Sequence, residues 1–363
     1  MENQLKSIGL EVPAAVVLNS RLAVEKSAAA KRIPAFDFTK GALVLFMVLY
    51  HWLNYFIGPQ GEYYNYLHFL TPSFIFITGF LISHVHFAKY GTGSPRLAAR
   101  LLIRGLKILA VFISMNLLIA LFLPDSTVRQ AFSSDALSAN LYRVFISGDA
   151  LIDGIGKAAS FTILVPIGYL LIASAGLLLL CKFSRYVFHY ACGLLLLCVI
   201  FREARGIPGW NPELLMIGLL GVVLGYATSA QIAALVSHRV ALCGAYGIYL
   251  VAVTIWGVPL ALRIVSVILT TALIYMVGDK KGQPGLLRNH IVLLGKYSLF
   301  GYLSQIVILQ VLRHLFRFTD LGTGTLLLSL FLGFALSAGC VEILDYIRLR
   351  ASGVDRIYKA IFA

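Results

Sequence analysis

Three residues in the first apolar run carry the most telling chemical pattern: Asp37, Lys40 and His51, in a stretch that opens Asp37-Phe-Thr-Lys40-Gly41 and closes Tyr50-His51-Trp52. Lys40 and His51 are eleven residues apart. At 1.5 Å per residue that is about 16 Å of helix and roughly three turns, so both side chains leave nearly the same face. A helix that starts at the headgroups with Lys40 puts His51 at or beyond the bilayer midplane. Imidazole, with an ordinary pKa near 6.5, suits general-base chemistry there, and desolvation keeps it neutral and able to accept a proton. A structural histidine that hydrogen-bonds across helices fits the same position.

A second cluster opens the third apolar run. Arg96, Arg100, Arg104 and Lys107 are spaced four, four and three apart, which aligns them on one helical face. Such a stripe is a snorkelling positive cap. Because it continues past Leu101-Leu102-Ile103, it is equally a cationic face able to hold the phosphates of a nucleotide-like ligand. His68, preceded by Tyr63, Tyr64 and Tyr66, opens the second run at the same end as Tyr50, Trp52 and Tyr55 of the first. These rings form either an interfacial aromatic belt or a platform on which a sugar stacks. His84 and His86, two residues apart on a helix, share no face and do not read as a metal pair.

The elements that must position these groups follow from composition. The chain has 363 residues, 59% hydrophobic and 13% charged, with a mean hydropathy of +0.86. Soluble domains carry roughly 25% charged residues, so a secreted disulfide scaffold, a disordered tail and an ordinary cytosolic enzyme are excluded. About 20 apolar residues cross a bilayer, and ten such runs are legible: 41–58, 67–88, 101–123, 161–181, 187–201, 213–230, 240–257, 260–278, 291–312 and 323–346. The expected fold is all-α, a polytopic integral-membrane bundle of about ten helices without internal repeats.

With both termini in the cytosol, 22 of the 30 Lys and Arg residues fall on the cytosolic side, as the positive-inside bias requires. The net charge of +14 is thus largely a topology signal, and no basic stripe interleaved with aromatics points to nucleic acid. The expected organisation is a cytosolic leader over 1–36, a membrane domain over 37–348 with a long outer connection near 124–160, and a cytosolic tail over 349–363. The location expected is the plasma (inner) membrane, in contact with lipid. The five cysteines show no metal-ligand spacing and read as buried free thiols.

Arg32-Ile-Pro-Ala-Phe-Asp37-Phe-Thr-Lys40-Gly41, followed by an apolar run and His51, resembles the first span of the transmembrane acyltransferase superfamily. That group includes the acyltransferase-3, OpgC-like and heparan-alpha-glucosaminide N-acetyltransferase types. Pro72-Ser-Phe-Ile-Phe-Ile-Thr78-Gly79-Phe80 is similar to its second span, and Arg100 with Arg104-Gly-Leu-Lys107 matches in kind. Leu294-Gly295-Lys296-Tyr297-Ser298-Leu299 through Tyr302-Leu303-Ser-Gln305 is similar to a late motif, with Gln305 where histidine is common.

The resemblance implies acyl transfer from cytosolic acyl-CoA, acetyl-CoA foremost, to a hydroxyl or amine of an extracytoplasmic or envelope carbohydrate, without a metal. His51 would be the general base or transient acyl carrier. Asp37 would join the catalytic set by orienting or partly neutralising Lys40. Lys40, Arg100, Arg104 and Lys107 would hold the CoA phosphates, and Tyr55 and His68 would meet the acceptor. Thr71, Ser73 and Thr78 are candidates to stabilise an oxyanion near His51. A transporter or flippase for an anionic or lipid-linked solute also explains ten spans with polar groups inside them, but it predicts polar breaks in corresponding halves. A membrane scaffold would need no Lys–His pair on one face.

Overall fold

The computed structural model describes residues 33–362 apart from 59–60, 93, 123–127, 130–136, 150, 153–155, 158, 182–183, 185, 208, 280–284 and 317–321. Most of the expected leader, and Asp125, Asp135 and Asp153 of the long connection, lie outside them. Among the described residues the fold is a helical membrane bundle. Seven helices are long and apolar enough to cross a bilayer, and nine cross if each of two bent pairs counts as one span. The expected ten is therefore reached only by adding Leu164–Leu180, which has 17 residues.

The helices are α1 (Pro34–Trp52), α2 (Tyr63–Tyr90), α3 (Pro95–Phe122), α4 (Leu164–Leu180), α5 (Val187–Ala204) and α6 (Trp210–Leu224). They continue with α7 (Ser229–Ser237), α8 (Arg239–Trp256), α9 (Leu260–Gly278), α10 (Leu286–Lys296), α11 (Ser298–Leu315), α12 (Thr323–Arg350) and α13 (Ser352–Phe362). Two of the expected runs are broken. The chain turns by 104° between α6 and α7, and by 94° between α10 and α11. At the first break Thr228 starts a fresh helix through a capping box with Gln231. The described part of the long connection contains a helix, Leu137–Tyr142, and a two-residue antiparallel ladder pairing Leu151 with Lys157 and Ile152 with Gly156.

α1 is the centre of the bundle, packed against α2, α9, α10, α11 and α12. Pro34 starts it, its fixed φ suiting a first turn, and Asp37 sits where the helix dipole favours a carboxylate. Leu43, Val44 and Val48 are fully buried within it. It runs on as a π-turn through Leu53–Ile57 and stops at Gly58, whose φ of +140° excludes other residues.

Lipid tails give helices little hydrophobic reason to associate, so close backbone approach carries the packing. α1 and α10 meet backbone to backbone. A Cβ on Gly41 would lie 1.8 Å from the Ile291 carbonyl oxygen, and one on Gly295 would lie 1.6 Å from that of Asp37. α2 and α6 repeat the device: a Cβ on Gly79 would lie 2.0 Å from the Gly218 carbonyl oxygen. Trp52 ties α1 to α12 by donating its indole N–H to the Ser329 hydroxyl at 2.8 Å.

One compositional expectation is corrected. Cys192 is buried, but Cys198 and Cys243 are exposed at the protein surface, because α5 and α8 turn one face to lipid, which takes a thiol without a packed neighbour.

Candidate active site

The two ends of α1 open onto two different cavities. At the Lys40 end a cavity of about 560 Å³ is lined by Asp37, Lys40, His86, Arg104, Lys296, Tyr297, Arg348, Tyr358 and Lys359 among others. Lys40 Nζ lies 2.7 Å from Asp37 Oδ1, one turn back on the same helix. Arg104 and His86 also line a smaller adjoining cavity of about 310 Å³ with Arg100 and Tyr90. Arg100 donates to the Tyr90 hydroxyl and its guanidinium stands 4.9 Å from that ring's centroid. Arg100 and Arg104 of the α3 stripe thus open onto these cavities, while Lys107, a turn further on, lines neither.

Half of the basic wall comes from late in the chain. Lys296 Nζ is 2.9 Å from Asp345 Oδ1, which also accepts a hydrogen bond from the Tyr297 hydroxyl. Arg348 stands 3.8 Å from the ring centroid of Tyr358, and its Nε donates to Asp355 Oδ1 at 3.0 Å. Lys359 Nζ lies 2.6 Å from the other oxygen of Asp355. These bonds fold α13 back over the cavity. They also hold the Asp355 carboxyl below the usual carboxylate range, chiefly through the hydrogen bonds from Lys359 and Arg348. The cytosolic tail expected from sequence is thus, over 352–362, a docked helix.

At the other end a cavity of about 680 Å³ contains His51, Tyr50, Thr71, Asp149, Thr162, Arg202, Glu203, Trp210, Glu213, Arg263 and Tyr302. His51 sits among three tyrosines. Its ring centroid is 5.3 Å from that of Tyr50, 6.3 Å from Tyr55 and 6.3 Å from Tyr302. Facing it, Arg263 bridges Glu213 at 2.9 Å and Glu203 at 3.1 Å. The long connection contributes Gly148 and Asp149 to the wall. It is pinned there by Asn211 of α6, whose side-chain N–H groups donate to the carbonyls of Val144 at 3.0 Å and Phe145 at 3.1 Å. Among the described residues no group of three or more His, Cys, Asp or Glu side chains is placed to hold a metal.

The sequence-derived residues therefore separate. Asp37, Lys40 and Arg104 gather in the basic cavity, and His51 lies in the other, about 21 Å along α1 from Asp37 at 1.5 Å per residue. Tyr55 and His68 stand one layer behind the His51 cavity. Gln310 Nε2 donates to the Tyr55 hydroxyl at 3.3 Å, and the His68 ring meets Trp210 edge-on with centroids 5.9 Å apart. Of the three hydroxyls considered near His51, only Thr71 lines its cavity. Ser73 is fully buried elsewhere, and the Thr78 hydroxyl donates to the Phe74 carbonyl at 2.8 Å.

Sequence reasoning missed Glu203, Glu213 and Arg263 as site residues, counted Arg348 and Lys359 only among the cytosolic charges, and placed Lys296 in the late motif without a role. Glu213 near the start of one apolar run and Arg263 near the start of another were a usable signal, since ionisable groups at such places are costly to keep.

No curated protein and no solved structure matches the chain. Residues 32–133, which span α1, α2 and α3 and include Lys40, His51, Arg100 and Arg104, match the family described as heparan-alpha-glucosaminide N-acetyltransferase, catalytic.

Proposed function

We propose that the protein is a membrane acyltransferase that takes an acetyl group from acetyl-CoA bound at the basic, cytosolic end and delivers it to an extracytoplasmic or envelope carbohydrate at the His51 end. One observation carries the reading: a single buried helix, α1, presents Lys40 to a basic cavity and His51 to an aromatic, carboxylate-bearing cavity on the opposite side of the bundle. The family match over 32–133 supports it.

The division of labour follows from charge. The donor's phosphates are stabilised by Lys40, Arg104, Lys296, Arg348 and Lys359, with Arg100 at the adjoining mouth. Its thioester arm runs along α1 towards His51. The acceptor's hydroxyl or amine attacks the thioester carbonyl carbon while the His51 imidazole takes the acceptor's proton. The Thr71 hydroxyl, on the same cavity wall, is a donor available to the oxyanion. Collapse of the tetrahedral intermediate breaks the C–S bond, and the proton held by His51 leaves with the thiolate. Asp37 acts at a distance, by holding Lys40.

The test is label transfer from acetyl-CoA to crude envelope glycans by the purified protein. Loss of transfer with His51→Ala, and a raised requirement for acetyl-CoA with Arg104→Ala, is the expected result. A folded wild type that neither binds nor consumes acyl-CoA overturns the reading.

A further inference from the structure

The wall opposite His51 is built by α5, α6 and α9 and lies outside the family-matched residues. Glu213 is 5% exposed. Its Oε2 is taken by Arg263 at 2.9 Å, while Oε1, like Arg263 Nε, has no hydrogen-bond partner among the described residues. A buried carboxylate oxygen and a buried guanidinium N–H left unmade are each costly, and a ligand carrying both a donor and an acceptor can satisfy the two. Trp210, three residues before Glu213, lines the same cavity and is held edge-on by His68.

We propose that Trp210, Glu213 and Arg263 form the acceptor-recognition wall and that it selects a neutral saccharide unit over an anionic one. This deepens the acyl-transfer reading and rests on it. The sugar ring stacks on Trp210, one hydroxyl donates to Glu213 Oε1, and a neighbouring oxygen accepts from Arg263 Nε. Selection against anions follows from the charge count around the cavity. Asp149, Glu203 and Glu213 outnumber Arg202 and Arg263, and Arg263 is already clasped by two carboxylates. A uronate or sulfate brought here meets carboxylates that already take up Arg263, which disfavours it.

The experiment measures binding of neutral glucose and N-acetylglucosamine oligomers, and of the same oligomers ending in glucuronate, to the full-length protein in lipid nanodiscs. Wild type is expected to bind the neutral set at least tenfold more tightly. Glu213→Gln, which keeps the side-chain shape, weakens neutral binding about tenfold and shrinks the preference. Trp210→Ala weakens both sets. Equal binding of the two sets, no binding of either, or wild-type binding by both variants overturns the proposal.

Acetyl transfer to the same oligomers separates the two readings. Neutral glycans bound through Glu213 but never acetylated defeat the acyltransferase reading and leave the wall standing. Transfer with an unchanged acceptor KM in Glu213→Gln and Trp210→Ala defeats the wall and leaves the enzyme.

Discussion

The two cavities at the ends of α1 differ in how their charges are arranged, and the difference indicates what each can hold. At the Lys40 end every carboxylate on the wall or beside it (Asp37, Asp345, Asp355) is tied to a lysine or arginine, and cations remain in excess. The Asp37–Lys40 pair is itself largely buried, whereas Lys296 and Lys359 stand open to solvent. At the His51 end carboxylates are in excess and the Glu213–Arg263 pair is buried. An excess of cations suits a polyanion that arrives and leaves. A buried, compensated network suits a polar ligand that must be oriented.

The largest effect that would disturb this arrangement is expected at the seam holding α1. Gly41→Ala drives a methyl into the Ile291 carbonyl. It should abolish accumulation of folded protein, measured as the monodisperse fraction after detergent extraction. Gly176→Ala, which meets nothing within 4 Å, is the control and should extract like wild type or slightly better. Equal behaviour of the two would remove the seam from the account.

Ionic strength comes next. Between about 0.05 and 0.5 M salt the KM for acetyl-CoA should rise roughly tenfold while the acceptor KM moves less than about twofold, because salt screens the attraction of a polyanionic donor to the cationic wall and touches an uncharged acceptor far less. Parallel rises in both would erase the distinction between the cavities.

A smaller effect is expected from Tyr358→Ala. It removes the ring under Arg348, a contact worth about 0.5–1 kcal/mol at an exposed site, and should raise the acetyl-CoA KM about threefold without changing that for the acceptor.

The smallest effect is a loosening of α13 in acid. The Asp355 carboxyl titrates below its ordinary value because Lys359 and Arg348 hold its charged form. The docking this provides is therefore complete above the ordinary carboxylate pKa and lost as pH falls through the depressed one. Hydrogen exchange of residues 352–362 should accelerate over that interval, and Asp355→Asn should already exchange faster at neutral pH.

The fold was largely legible because lipid imposes a strong pattern. All ten apolar runs became helices or bent pairs, and α1 with its Lys–His spacing was readable from local sequence. The break at Tyr297 was not, since no proline marks Leu-Gly-Lys-Tyr-Ser and the chain turns there after α10 packs on α1 through Gly295. The site was half legible for the same reason. Lys40, His51 and Arg104 lie on elements with a readable period, whereas Glu203, Glu213, Arg263, Arg348 and Lys359 reach their cavities through contacts between helices distant in sequence.

The backbone seam between Gly41 and Gly295 has a last consequence. With carbonyls where side chains would otherwise be, α1 cannot slide or roll against α10 without losing the contact altogether, so Lys40 and His51, already a fixed length apart on one helix, also keep their places in the bundle. Under the proposed function α1 is a ruler. Traffic across the membrane becomes a question of whether the donor's arm is long enough. A thioester cut short of the full pantetheine arm, or one stripped of its phosphates, should fail as a donor however reactive its sulfur.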